Sequence, residues 1–471
     1  LGIGVASLGG SVAGGEYNVA IGNYSLDALT SGDNNTVVGY QAGTSTTTGG
    51  YNTFLGFEAG KTYTGTGDVN TAIGASALQS MTTGTQNTAL GGNAGYSLTT
   101  GGNNVMIGHN AGDGFDTESN NLAVGKDALG GAIAGGEFNV AIGNYTGDAI
   151  TSGDSNVLVG YQAGTSTTTG GYNVFIGGSF ASFCGGANTT GQLNIAIGTD
   201  AYDAADTESN NLAIGYAALG GAVAGAEYNV AVGNLSLDAL TSGDQNTAVG
   251  YLAGSAVTDG HSNTFVGKDA GAGVTGGFSN VLIGTNSGYG NSTNLTTGDQ
   301  NTLVGRNIQP TDTNTNTANG LGYFLTCEGG YTTVGQSGDD IRAAHGTATW
   351  ATVSDERFKK NIETSDAGLA VINDLRPVTY NWKTMGEIPE WSRWYEEGSD
   401  EQYRNSKLNH GFVAQEVKAV IDSHSELKDG FSMWYEREDG QQEVGETAIV
   451  PILVKAVQEL SATVTTLQQE I

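Results

Sequence analysis

Short apolar stretches recur along the first two thirds of the chain, each opened by an asparagine and closed by a glycine, as in NTAIG at 70–74 and NVLVG at 156–160. The opening asparagine stands at 18, 35, 52, 70, 87, 104, 121, 139, 156, 173, 194, 211, 229, 246, 263, 280 and 301. That makes 17 copies, spaced mostly by 17 residues, sometimes by 18 and twice by 21. The fourth position is Ile, Val or Leu in every copy and the fifth is always Gly; three residues further on there is usually Ala or Ser. A longer echo lies over the short one, since the stretch 18–52 recurs nearly intact from 139. The period is too short for a pair of helices, and Gly with β-branched residues disfavours helix in any case. Apolar runs of this length, bounded by Gly, Asn, Asp and Ser, predict short strands between tight turns. Stacked one per period, they predict a mainly β chain: a parallel β-roll or β-solenoid of about 17 coils, each adding about 4.8 Å to a rod of roughly 80 Å. Asn is then expected to ladder from coil to coil, and Gly to take the positive-φ corners. One aliphatic, one alanine and a variable third residue per coil bury little apolar surface. The roll is therefore expected to use copies of itself as cover, as a homotrimer.

The pattern changes after residue 305. A less regular neck runs over 306–350, and ordinary mixed sequence follows. AGLAVINDLRPVTYNW at 367–382 predicts a short helix ending before Pro377 and then a strand, and HGFVAQEVKAVI at 410–421 a strand running into a helix. In the last segment Val450, Leu453, Val457, Leu460, Val464, Leu467 and Ile471 alternate spacings of three and four, the a/d seam of a coiled coil. The expected organisation is a Gly-rich roll shaft at 1–305, a neck at 306–350, a small α/β domain at 351–448 and a C-terminal trimeric coiled coil at 449–471.

Composition sharpens this division. Of the 17 cations only Lys61, Lys126, Lys268, Arg306 and Arg342 precede residue 347, whereas all five tryptophans follow it. A formal net charge of −31 argues against nucleic-acid binding, which needs a cationic footprint. No apolar run is expected to reach the roughly 18 residues of a membrane span, so no membrane insertion is expected. Residue 1 is Leu and no signal peptide is visible, which reads as a fragment or processed chain. Cys184 and Cys327 sit in no metal or redox spacing.

Several motifs carry less than they suggest. GFEAGKT at 56–62 has three residues between its glycines where a phosphate loop has four, so Lys61 is expected to be a solvated cation. The Asp residues of the SGD turns lack the pattern of calcium-binding rolls. TSTTTGG at 44–50 and 165–171 is read as a plain outer turn. His410 is expected to pack, and the tryptophans to form the core and contact surface of the C-terminal domain. No cofactor and no metal site is expected.

Two resemblances follow from the motifs. The Asn-x-apolar-aliphatic-Gly repeat, with Ala or Ser three residues on, resembles the head repeat of YadA-type trimeric adhesins, a left-handed parallel β-roll, although the coil here is longer. In the C-terminal part SDERFKKNI, LRPVTYNW, HGFVAQEV and VPILVKAVQEL, in that order, resemble the endosialidase-type intramolecular chaperone found at the end of phage tail fibres and tailspikes. That resemblance implies a domain that trimerises a fibre, guides β-helical folding and then cuts itself off. The cut would fall between Val353 and Ser354, with Ser354 as nucleophile and Lys359 as base; Phe358 stands where the family usually has Leu. A serine hydroxyl needs a base to take its proton, and a lysine serves only if burial or neighbouring cations such as Arg357 and Lys360 favour its neutral form.

The expected protein is thus a structural trimeric tail fibre or receptor-binding adhesin, located on a virion tail or outside the cell. It is at most a single-turnover serine autoprotease with no external substrate. Its expected partners are two copies of itself, other virion tail proteins and a host cell-surface receptor, glycan or protein. Receptor contact is expected at the two 21-residue coils, near 177–193 and 284–300. The alternative is a bacterial surface adhesin or extracellular filament subunit with a permanently attached trimerisation domain.

Overall fold

Each copy of the repeat forms a three-residue strand, and consecutive strands pair in parallel and in register. Val19, Ala20 and Ile21 stand beside Thr36, Val37 and Val38, and those beside Thr53, Phe54 and Leu55. In this computed structural model the described residues are 1–469 apart from 67–68, 181–182, 291, 338, 347–353, 355, 393, 428–430 and 438–439. The chain divides into two compact units, Leu1–Thr352 and Val353–Ile471. The first is a parallel β-solenoid of about 19 turns. It exceeds the expected 17 because Gly2–Ile3 adds a coil before the first asparagine, and because the stack continues beyond residue 305. Thr302–Arg306 pairs with Asn319–Tyr323, and that strand with Tyr331–Gln336. What reads as a neck is largely roll whose asparagine motif has been lost. An antiparallel strand, Asp339–Ala344, then closes this edge of the sheet.

The inward side of each strand is its middle residue. Ala20, Val37, Phe54, Ala72, Ala89 and Met106 are fully buried, while the always-aliphatic fourth position faces outward, Leu90 being 45% exposed. Two further columns complete the core, both under-read in the sequence. One holds Leu26, Leu78, Leu129 and Leu237, the other Leu29, Tyr63, Met81, Leu98 and Phe115. Their volumes compensate within a coil. Ala20 is matched by Leu26 and Ala72 by Leu78, whereas Phe54 is matched by Gly60, where a Cβ would lie 2.8 Å from the Phe54 ring. Where both are small, neighbours lean in, as Met106 and Leu78 do over Gly95. This alternation fills the roll to interior density with little apolar residue per coil.

Two columns explain the invariant positions. The motif Gly turns the corner at positive φ, 145° at Gly39, and its Cβ would sit 2.0 Å from the carbonyl oxygen of Gly56 in the next coil. No side chain fits there. The asparagines form a buried ladder: Asn35 donates its backbone N–H to Oδ1 of Asn18 at 2.9 Å and its Nδ2 to Gly49 O at 2.9 Å, and Asn52 donates its own N–H to Oδ1 of Asn35 at 3.0 Å. The ladder runs to Asn301, whose Oδ1 accepts from Ala318 N–H. Glu118 and Glu208, in the paired DTESNN stretches, are buried too, and their carboxylates accept backbone N–H bonds. Glu118 takes them from Asp116, Thr117 and Gly135 at 2.7, 3.0 and 2.9 Å. Both cysteines are buried and free, and burial pushes each thiol up to about 12.

One carboxyl is poorly placed. Asp113 Oδ1 is buried with no partner among the described residues, and burial, then Asp127 and Asp148, push its pKa up to about 6. A folded-state pKa above the unfolded value means the native state holds the extra proton between about pH 4 and 6. Asp113 therefore supports the fold fully below about pH 4, and that support is lost as pH rises through about 6. Asp113→Asn is expected to raise the melting temperature at pH 7 and to flatten its slope between pH 4 and 6. Equal slopes for wild type and variant in a pH series of thermal melts would refute this.

Candidate functional site

Ser354 lies just before a short 3-10 helix, Glu356–Phe358, and Lys359 follows it, its N–H bonded to Glu356 O at 3.0 Å. That single tight turn folds the lysine back over the serine, and Nζ sits 2.7 Å from Ser354 Oγ. Asn361, at φ 55°, redirects the chain immediately afterwards. A separation of five residues is bridged here by one turn, so no distant element is required. As an ammonium, Lys359 donates to the hydroxyl; as a free amine it accepts from it, over a distance suited to proton transfer. Both side chains are exposed. The burial that would favour a neutral amine is not supplied around them within one chain. Val353, the other half of the expected scissile bond, lies outside the described residues.

The rest of this unit is a small α/β fold. Helix α1 (Leu369–Asp374), helix α2 (Ala414–Ser423) and helix α3 (Val450–Gln469) accompany two antiparallel pairs, Val378–Tyr380 with Asn409–Gly411 and Trp434–Glu436 with Gln442–Val444. Val371, Val417, Ile421, Leu427, Met433 and Ile452 form its core. Gly368 cannot cap α1 with a side chain, and Glu459 of α3 does so instead, accepting from Leu369 N–H at 2.8 Å. This cap joins residues 90 apart, and nothing in the local sequence announces it. Arg376 of the α1–strand connection makes a two-point ion pair with Glu416 of α2, with Nε at 2.9 Å from Oε2. His424 bridges Asp374 and Glu426 at 2.9 and 3.0 Å, and those carboxylates hold its pKa above the ordinary value.

Helix α3 has two apolar faces. Ile452 and Ala456 are buried against the unit's own core, whereas Val450, Leu453, Val457, Leu460, Val464 and Leu467 are exposed, Val457 by 64%. The exposed set is the expected seam; Ile471 lies outside the described residues. Contrary to expectation, the stretch Glu446–Gln469 is apolar enough, at a mean hydropathy of 1.3, to cross a membrane by length and composition alone. Its apolar side chains are gathered into stripes, with Lys455, Gln458, Glu459 and Gln468 between them, which suits a helical partner better than lipid all round.

The described tryptophans divide between core and surface. Trp391 and Trp394 are half-exposed and, with Ser392, Tyr403, Arg404 and Arg437, line a cavity of about 460 Å³. Arg404 stacks over Trp382 at 4.9 Å, and among the described tryptophans Trp434 packs against the apolar cluster. Trp350 lies outside the described residues. His410 sits on the strand opposite Thr379 and is exposed there.

Residues 354–425 match the family model of the chaperone of endosialidase. The match begins at Ser354 itself and takes in α1, α2 and the first strand pair, stopping short of α3. It supports an intramolecular chaperone role for this part of the chain. No curated protein and no solved structure matches the chain.

Proposed function

We propose that the chain is the subunit of a homotrimeric fibre whose C-terminal domain brings three copies together, registers the roll and then releases it by cutting between Val353 and Ser354. The observation that carries this reading is the family match opening at Ser354, with Lys359 Nζ 2.7 Å from its hydroxyl. Ser354 Oγ attacks the carbonyl carbon of Val353 while Lys359 takes the hydroxyl proton. The amide C–N bond breaks, the freed amine of Ser354 gains a proton, and an ester remains. Water then hydrolyses the ester to a C-terminal carboxylate at Val353. Because the pair is exposed in one chain, packing of neighbouring copies is what would exclude water and favour the neutral amine, tying cleavage to completed assembly. The shaft left behind would be kinetically trapped, since slow non-local strand pairing is what a helper overcomes.

Two exposed apolar surfaces support self-association. The α3 seam offers a stripe for parallel partner helices. The fourth-position column of the roll presents an uncharged aliphatic in every motif coil although each faces outward. Only a surface with the same rise of about 4.8 Å per repeat could match it along its length, and a second copy provides that. The double change Val457→Glu, Leu460→Glu tests assembly, because both residues are exposed in the single chain. Native mass spectrometry should show a trimer for wild type and monomer for the variant, at unchanged helical content. A trimer in both, or a monomer in both, would reject the seam.

The fibre would belong to a phage tail, and so be virion-associated or extracellular, with other tail proteins and a host receptor as partners. The two long coils remain candidate receptor contacts. Phe180 stands out at 86% exposure in one, and in the other Asn286, Tyr289, Ser292, Asn307 and Phe324 line a shallow cavity of about 190 Å³. Alanine patches over both loops are expected to abolish attachment of the fibre to host cells; undiminished attachment would remove these loops from consideration. The second reading, a surface adhesin or filament subunit with a permanent trimerisation foot, is favoured by one observation, the openness of the Ser354–Lys359 pair to water.

A further inference from the structure

The residue before each ladder asparagine has left-handed backbone; ten of the 17 coils fill it with Asn, Ser or Gln, such as Asn34, Asn103, Ser155 and Gln245, and two with the aliphatics Val69 and Leu193. Five coils place an aromatic ring there instead: Tyr17, Tyr51, Phe138, Tyr172 and Tyr228, at φ between 55° and 60°. These rings are 57% to 80% exposed, so they add little to the core. A bulky residue held in disfavoured backbone without burial points to a use outside the fold.

Their arrangement repeats. Tyr17 and Tyr51 flank Asn34, and Phe138 and Tyr172 flank Ser155, with one coil between the rings in each pair. The column is in register: Asn34 N–H bonds to Glu16 O and Tyr51 N–H to Asp33 O, at 3.0 and 2.9 Å. Ser155 and Tyr172 do the same with Glu137 and Asp154. The run Tyr24–Tyr40–Phe57 on the far side of the strand is different, because its rings contact one another, Tyr24 edge-on to Tyr40 at 6.0 Å and Tyr40 stacked on Phe57 at 5.6 Å. Two coils at about 4.8 Å set the paired rings roughly 10 Å apart, which is close to the separation of alternate sugars in an extended β-1,4-linked chain. Carboxylates accompany each pair, Glu16 and Asp33 in one and Glu137 and Asp154 in the other; they repel anionic polymers and suit hydroxyl groups.

We propose that these paired rings form glycan-binding ladders on the roll, each taking a linear, neutral β-1,4-linked oligosaccharide with alternate pyranose rings stacked on the two aromatics through their C–H faces. The inference deepens the adhesive part of the reading above and rests on that reading for its setting, but it adds a site away from the two long loops. It is tested by calorimetric titration of the full-length protein with cellohexaose, mannohexaose and chitohexaose, and with an oligogalacturonate hexamer as the anionic probe. At least one neutral hexaose should bind, and the combined variant Tyr17→Asn, Tyr51→Asn, Phe138→Asn, Tyr172→Asn should weaken it by about tenfold or more. Because asparagine suits this backbone, the variant should melt no lower than wild type, while Tyr40→Ser, on the stacked run, should bind as wild type does. Absence of binding by all three neutral hexaoses, tighter binding of the anionic one, or full retention in the variant would overturn the proposal. Assembly is read separately: a trimer that binds no glycan sinks this site alone, and a monomer that binds one sinks the trimer alone.

Discussion

Ser354→Ala is expected to leave the 471-residue chain whole under denaturing mass spectrometry, while wild type yields two pieces, residues 1–353 and 354–471. The alanine removes the atom that attacks and disturbs little else, since Ser354 is exposed and its side chain bonds to Lys359. Losing the nucleophile of such a pair should slow the reaction by about 10³-fold or more, which is all or nothing on a preparative timescale. Lys359→Met should also block cleavage, and because the proton then has no acceptor, raising the pH should rescue it in part. Ser354→Cys should retain slow cleavage. If wild type is itself uncut, self-release is wrong for this chain and the permanent-foot reading gains. If wild type and Ser354→Ala are cut alike, the scission belongs to an outside protease.

The second large effect is expected inside the roll. Asn87 bonds through its own N–H to Asn70 Oδ1 at 3.0 Å and through Nδ2 to Gly101 O at 2.9 Å, and its Oδ1 receives both N–H and Nδ2 of Asn104, at 3.0 and 3.2 Å. Asn87→Leu keeps the branched shape but orphans the backbone amide of Asn104 and the Gly101 carbonyl in a fully buried column, and leaves Asn104 Nδ2 with Glu118 O as its acceptor. At roughly 1–3 kcal/mol for each stranded group, partly relieved by relaxation, the expected loss is about 4 kcal/mol. Thr88→Val, on the outward face one residue away, should stay within about 0.5 kcal/mol. Urea unfolding gives the difference, and hydrogen exchange should show protection falling first in the coils around 70–104. A loss below about 1 kcal/mol, with exchange unchanged, would mean that the ladder follows the fold rather than holding it.

The candidate site was legible to different degrees. Ser354 and Lys359 were found through flanking motifs, since a serine and a lysine five residues apart carry no signal by themselves. Their contact needed the 3-10 turn at Glu356–Phe358. The tryptophans were expected in core and contact surface together, and hydrophobicity does not say which ring goes where: Trp434 packs against the core, whereas Trp391 and Trp394 use an amphipathic ring at the surface beside Arg404 and Arg437. The Glu459 cap on α1 was invisible, being a contact between elements far apart in the chain.

By itself the sequence determined the parallel roll, the asparagine ladder, the glycine corners and the exposed apolar stripe of α3, because each arises from a period, and a period specifies which residues recur at the same place in neighbouring repeats or turns. Tertiary structure alone decided which apolar residue faces inward. Third and fourth motif positions are both apolar, and a strand of three residues is too short for alternation to tell its faces apart. Inside, volume is shared within a coil, Ala20 with Leu26 or Phe54 with Gly60, whereas the outward position holds Ile, Val or Leu in every motif coil. It also decided that the roll runs on past residue 305, where pairing of Thr302–Arg306 with Asn319–Tyr323 continues without the asparagine, Leu321 and Gly322 keeping the aliphatic and corner positions. The strand edge offers unpaired backbone groups, and a following segment that keeps the corner glycine can pair with it even without the asparagine.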